Sequence, residues 1–237
     1  MPLFLSRNRP MYRTVLDHDR RIVRRGLVTA VRDVCEECNN VKLSALDSYA
    51  SRLDRDYFLR IPDFRRPVNF QYDFDSLLRW LLKIIYNDDR TRPPPYAAER
   101  FVPYILSADS QPPLRTNLLL GFISPSETTE QQRAEGFPEI LEPESCGVGH
   151  LYVNRPAGPD IELRRFVQIN SYFFQVIAWK DSVARPVSRR HLARICELHR
   201  LQELKAKNES VIFEKPSMDF LRFQTDYAIR GPMVDRR

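Results

Sequence analysis

The stretch Ile161–Trp179, with the sequence IELRRFVQINSYFFQVIAW, holds two apolar-rich runs on either side of Asn170-Ser171. β-Branched and aromatic residues favour strands, and Asn-Ser favours a tight turn, so this stretch predicts a β-hairpin in a small antiparallel sheet. Three further segments predict extended structure for the second half of the chain: 101–107, 116–123 and 148–154. Between them, 124–145 is rich in Glu, Ser, Thr, Gln and Pro, which predicts a long exposed loop.

Apolar residues recur at helical spacing in three other segments. These segments run over 44–57, 75–89 and 188–204. Ser44 is the expected N-cap of the first helix, and Trp80 is expected in the core beneath the second.

The run Arg92-Pro93-Pro94-Pro95 ends any helix before it, because proline lacks an amide donor and restricts the residue that precedes it. Beyond it the periodicity changes from helical to extended. The sequence therefore predicts an α+β protein in two parts. Residues 1–92 would hold an N-terminal segment and two helices, and residues 93–237 would hold a mainly antiparallel sheet with a basic C-terminal helix.

Charge and composition narrow the classes of function. Lysine and arginine number 37 against 31 acidic residues, a net charge of +6 at pH 7, and arginine suits two-point contacts to phosphate. With only seven glycines and no GxGxxG or Walker pattern, the chain is not expected to bind a nucleotide cofactor. Four irregularly spaced cysteines, no leader and no long apolar run predict a cytoplasmic protein that does not contact membranes.

Cys35 and Cys38 form a CxxC pair that runs directly into Asn39-Asn40-Val41-Lys42. Two thiolates at this spacing suit zinc, but a closed structural zinc site needs four ligands. The missing ligands are sought in two other pairs, Cys196 with His199 and Cys146 with His150. The alternative is that Cys35 and Cys38 pack at the start of a helix without metal.

The N-terminal region predicts short strands over 12–16, 21–25 and 27–31, with Asp17-His18 in the first turn. A hairpin carrying Asp-His and followed by Cys38-Asn39 resembles the HNH, or ββα-metal, endonuclease family over roughly residues 12–55. The resemblance implies that His18 is the general base that activates water. It also implies that Asp17 and Asn39 hold one divalent ion, so that Asn39 is both a metal ligand and a catalytic residue.

The residue chemistry agrees with those roles. Carboxylate and amide oxygens suit Mg²⁺ or Mn²⁺, and an imidazole with a pKa of about 6.5 accepts a proton at neutral pH. Basic residues of the N-terminal region and of the C-terminal helix are expected to contact nucleic acid, namely Arg20, Arg21, Arg24, Arg25, Lys42, Arg189, Arg190 and Arg194. For the last three, an ordinary solvated helix face is the alternative.

The resemblance therefore predicts a metal-dependent endonuclease that hydrolyses DNA phosphodiester bonds. Two alternatives remain open. One is a non-catalytic nucleic-acid-binding or structural protein derived from an HNH-like scaffold, and the other is an interaction module with a protein partner, such as a component of a phage or defence assembly.

Overall fold

The computed structural model describes residues 12–16, 22–26, 37, 41, 43–90, 96–107, 111–113, 115–143, 146–150 and 161–224. Its strands are β1 (Tyr12–Leu16), β2 (Ile22–Gly26), β3 (Val68–Gln71), β4 (Thr116–Ser124), β5 (Ser126–Glu127), β6 (Ile140–Leu141), β7 (Cys146–His150), β8 (Ile161–Ile169), β9 (Tyr172–Trp179), β10 (Gln202–Leu204), β11 (Ser210–Phe213) and β12 (Met218–Asp219). Its helices are α1 (Ser44–Leu53), α2 (Phe74–Asp89), α3 (Val102–Leu106), α4 (Glu130–Ala134), α5 (Arg185–His199) and α6 (Phe220–Phe223). The fold is α+β, as predicted.

A central sheet with the strand order β10-β4-β9-β8-β7 organises the fold, and all four of these pairings are antiparallel. The predicted β8–β9 hairpin is confirmed, with Ile169 opposite Tyr172 across a two-residue turn. Asn170 adopts the left-handed conformation there, with φ of 50°, which asparagine tolerates better than most residues. Its amide also donates to the carbonyl oxygen of Phe58 at 2.6 Å, so the turn is anchored to the helical layer.

Both faces of this sheet are covered, which is why β4 and β9 are nearly continuous apolar runs. On β9, the side chains of Tyr172, Phe174 and Val176 join the larger core, which includes α1 and α2. The alternate residues Phe173 and Ile177 join a second core, to which α5 and α6 contribute. Successive side chains of a strand point to opposite faces, so β9 contributes alternate residues to the two cores.

The two predicted N-terminal helices are confirmed, with one correction. Ser44 is not the N-cap of α1, because the cap position is Leu43, and the Ser44 hydroxyl instead donates to the Val41 carbonyl oxygen at 2.9 Å. At the start of α2, the Asp73 carboxylate accepts a hydrogen bond from the Ser76 amide at 2.8 Å. Trp80 is buried, as expected.

The prediction of extended structure over 101–107 is wrong, because α3 forms there. Pro103 lies in the first turn of α3, where its missing amide donor costs no hydrogen bond. The buried guanidinium of Arg79 donates to the carbonyl oxygens of Tyr104 and Ile105 at 3.1 and 3.0 Å, which satisfies the C-terminal end of this short helix. A partner from α2 thus stabilises a helix in a segment whose composition favours a strand.

Three other boundaries differ from the prediction. The segment 124–145 is not simply a loop, since it contains β5, α4 and β6. The helix expected over 188–204 begins earlier, at Arg185, and ends at His199, so that Leu201 and Leu204 lie beyond it. Helix α5 is followed by β10 to β12 and α6 rather than ending the fold.

A buried ion pair joins the sheet to the end of α2. Arg165 on β8 is 1% exposed, and its guanidinium contacts the carboxylates of both Asp88 and Asp89, the latter at 2.8 Å. Asp89 also accepts a hydrogen bond from the Ala98 amide at 3.0 Å. The larger core likewise contains residues from both sides of the proline run, such as Leu81 and Phe174. The division at residue 92 itself stays a prediction.

Within the described residues, no helix is long and apolar enough to cross a membrane.

Candidate nucleic-acid interface

Most of the N-terminal residues predicted to bind metal, to act in catalysis or to contact nucleic acid lie outside the described part of the chain. This applies to the metal and catalytic residues Asp17, His18, Cys35, Cys38 and Asn39, and to the basic residues Arg20, Arg21 and Lys42. Arg24 and Arg25 are on β2, opposite Thr14 and Arg13 of β1. The expected hairpin of β1 and β2 is therefore present, with Leu16 opposite Ile22 and Asp17-His18 in the segment that connects them. The third expected strand, over 27–31, also lies outside the described residues.

Helix α5 carries the other predicted contacts, and it is held at both ends. Before its start, the Arg115 guanidinium donates to the carbonyl oxygens of Lys180 and Val183, the former at 2.8 Å. Pro186 lies in the first turn and favours helix initiation. After its last residue, Arg200 adopts the left-handed conformation, and its carbonyl oxygen accepts a hydrogen bond from the Ser217 hydroxyl at 2.7 Å.

One side of α5 packs against the sheet, and the other faces solvent. Leu192 is buried, Ile195 packs against the same core, and the His191 ring lies 6.2 Å from the Trp179 indole. The solvent side carries four exposed arginines, Arg185, Arg189, Arg190 and Arg194, which we call the basic surface. Glu197 is the one acidic residue of the helix.

The charges of the basic surface do not stabilise the helix that carries them. Arg185 and Arg189 are four residues apart, as are Arg190 and Arg194, and like charges at this spacing repel by about 0.2–0.5 kcal/mol per pair. Arg185 also lies in the first turn, where the helix dipole disfavours a cation. Among the described residues, no acidic side chain pairs with any of the four. The arrangement is therefore suited to an anionic partner outside the chain.

The described part of the chain contains no cluster of three or more His, Cys, Asp or Glu side chains that could hold a metal ion. Burial and the nearby Glu203 carboxylate raise the pKa of the half-buried Cys196 thiol, so it is protonated at neutral pH, whereas zinc binds the thiolate. Cys146 and His150 are at the two ends of β7, about 13 Å apart at the usual rise of a strand. Their joint ligation of one ion stays a prediction.

A cleft of about 500 Å³ lies between α1, β3 and β11. Tyr49 lines it, and the Tyr49 hydroxyl is fixed by hydrogen bonds with the carbonyl oxygen and the amide of Asp73. Burial raises the pKa of Tyr49, so this phenol stays protonated and cannot serve as a base near neutral pH. The charges at the rim are mixed, with Arg52, Asp56 and Glu209, and favour no single ligand class.

Arg185 extends the basic surface and was not among the residues expected to contact nucleic acid. The helix was expected to begin near Ser188, so Arg185 was placed outside it. The signal that could have found it is Pro186, because proline is common in the first turn of helices.

Comparison with known proteins finds no family model, no curated protein and no solved structure that matches this chain.

Proposed function

We propose that this protein binds DNA through phosphate contacts from the basic surface of α5 and hydrolyses phosphodiester bonds with a divalent ion. The observation that carries the binding proposal is the presence of two like-charged arginine pairs, Arg185 with Arg189 and Arg190 with Arg194, all exposed on one helix. Their mutual repulsion is relieved when phosphates lie between them. Guanidinium groups also match the geometry of phosphate oxygens.

The proposal of cleavage rests on the N-terminal hairpin. In HNH-like enzymes a hairpin and the helix after it form the metal site, and the order β1, β2, α1 is compatible with that plan. Asp17 and Asn39 offer oxygen donors of the kind that Mg²⁺ and Mn²⁺ prefer. Such an ion would stabilise charge on the scissile phosphate and the leaving oxygen. In this arrangement His18 accepts the proton of the attacking water.

Nicking of supercoiled plasmid tests the cleavage proposal. The wild type, His18→Ala and His191→Ala would be assayed with Mg²⁺, with Mn²⁺ and with EDTA. We expect metal-dependent nicking that is lost in His18→Ala and kept in His191→Ala, whose ring lies against Trp179 rather than on the basic surface. Nicking that survives in His18→Ala at the wild-type rate would exclude His18 as the base.

The second candidate is a DNA-binding protein without catalysis, which the basic surface supports equally well because phosphate contacts need no metal. The same plasmid, assayed for binding in EDTA, separates the two. Binding without metal-dependent nicking of any substrate form would favour the non-catalytic protein. Absence of binding at low salt would exclude both candidates.

A further inference from the structure

The chain carries an ordered projection, residues 126–142, which we call the acidic arm. It consists of β5, α4 and β6, and a reciprocal capping box between Thr129 and Gln132 starts the helix. The Thr128 hydroxyl donates to the carbonyl oxygen of Pro138 at 2.7 Å, and its amide donates to that of Glu139 at 2.9 Å, which closes the base of the arm. Gly136, with φ of 91°, ends α4 in a conformation that favours glycine.

The arm carries two exposed apolar side chains. Phe137 is 47% exposed and Ile140 is 51% exposed, although the arm around them is held by the hydrogen bonds above. Large apolar residues presented on an ordered element are typical of protein interaction surfaces, because the ordering cost is already met within the free chain. The arm thus has the properties of a docking element.

The charges beside this apolar pair indicate which surface the arm would bind. The acidic arm contains five glutamates and one arginine, a net charge of −4, and the glutamates are exposed. Residues 185–200 contain five arginines and one glutamate, a net charge of +4 with neutral histidines. The two surfaces therefore carry net charges of opposite sign and equal magnitude.

Helix α5 also carries exposed apolar residues beside two of its arginines. Val187, Arg190, Arg194 and Leu198 recur at intervals of three and four residues, so they lie along one side of the helix. Val187 is 39% exposed and Leu198 is 62% exposed, which places an apolar residue at each end of two arginines. This stripe complements an arm in which an apolar pair is flanked by glutamates.

Phe137 on the arm and Leu198 on α5 are both exposed, so the arm does not cover this part of α5 in its own chain. We propose that the acidic arm of one molecule docks on the Val187–Leu198 side of α5 in a second copy of this chain. When each molecule gives its arm to the other, the two contacts are related by a twofold axis and the assembly closes as a dimer. The docked arm and DNA would compete for Arg190 and Arg194, so the association is tested without nucleic acid.

Sedimentation velocity of the full chain without nucleic acid tests the proposal. We expect the wild type to associate with increasing concentration, and more weakly at high salt. Phe137→Ser/Ile140→Ser removes both exposed apolar side chains of the arm and should weaken the association by about tenfold or more. The double variant Arg60→Glu/Arg66→Glu alters two exposed arginines away from α5 and should associate like the wild type.

Two charge-reversed variants give the decisive comparison. Arg190→Glu/Arg194→Glu takes the net charge of residues 185–200 from +4 to 0 and reverses the two charges between Val187 and Leu198. Glu135→Lys/Glu142→Lys takes the arm from −4 to 0 and spares Glu139, which lies 3.9 Å from Arg133. Each variant alone should be monomeric, because each of its contacts has lost the net charge of one surface. Their mixture should associate, because a mixed dimer has one contact between an unaltered arm and an unaltered helix, and at the other contact the substituted charges are again opposite in sign. A monomeric wild type, association that these changes leave intact, or a mixture of folded variants that stays monomeric would each overturn the proposal.

Discussion

The salt dependence of DNA binding is the most direct consequence of the basic surface. If Arg185, Arg189, Arg190 and Arg194 each neutralise one phosphate, log K should fall against log salt with a slope of about −3.6. Between about 50 and 200 mM salt the affinity would then fall about 150-fold. In Arg190→Gln/Arg194→Gln two contacts remain, so the slope should be about −1.8 and the loss about 12-fold over the same range.

The same double variant should not lose stability. Arg190 and Arg194 are exposed, and replacing them by neutral glutamine removes a like-charge repulsion of about 0.2–0.5 kcal/mol without leaving a buried group unpaired. Glutamine also has nearly the helix propensity of arginine. Weaker binding by a protein that is at least as stable would therefore report a lost contact rather than a damaged fold.

Fluorescence anisotropy with a short labelled duplex, repeated over a series of salt concentrations, measures both slopes. The matched control is Arg60→Gln/Arg66→Gln, which removes two exposed arginines far along the chain from α5 and should keep the wild-type slope. An unchanged slope in Arg190→Gln/Arg194→Gln would refute the reasoning. So would an equal decrease in the control, because the attraction would then be diffuse rather than located on α5.

Two further predictions concern the scaffold. Arg165→Leu should lower the free energy of unfolding by about 3–5 kcal/mol, since it leaves the carboxylates of Asp88 and Asp89 without their buried partner. Urea denaturation measures this loss. The control is Arg65→Leu, which breaks the exposed pair with Asp63, and an equal loss in the two variants would contradict the prediction. Gly121→Ala should cost about 1–3 kcal/mol, because the added Cβ would lie 2.4 Å from Leu201 Cδ2 and 2.7 Å from Ser217 Oγ. An unchanged melting temperature would show that this contact relaxes freely.

Local patterns predicted the elements whose sequence signals lie within a few neighbouring residues. The β8–β9 hairpin follows from Asn170-Ser171 between two apolar runs, and α1 and α2 follow from apolar residues at helical spacing. The arginines of α5 were also visible in the sequence, since charge clusters do not depend on the fold. The chemistry of Asp17 and His18 was equally visible, but its geometry lies outside the described residues.

By itself the sequence determined the fold class, the β8–β9 hairpin and the excess of arginine. The tertiary structure decided which side of α5 faces solvent, and it brought Arg79 to the end of α3 and Arg165 to Asp88 and Asp89. Those contacts join residues far apart in the chain, so no local spacing encodes them. A buried guanidinium needs acceptors, and Arg79 finds them in the carbonyl oxygens at the end of a segment whose local composition predicted a strand.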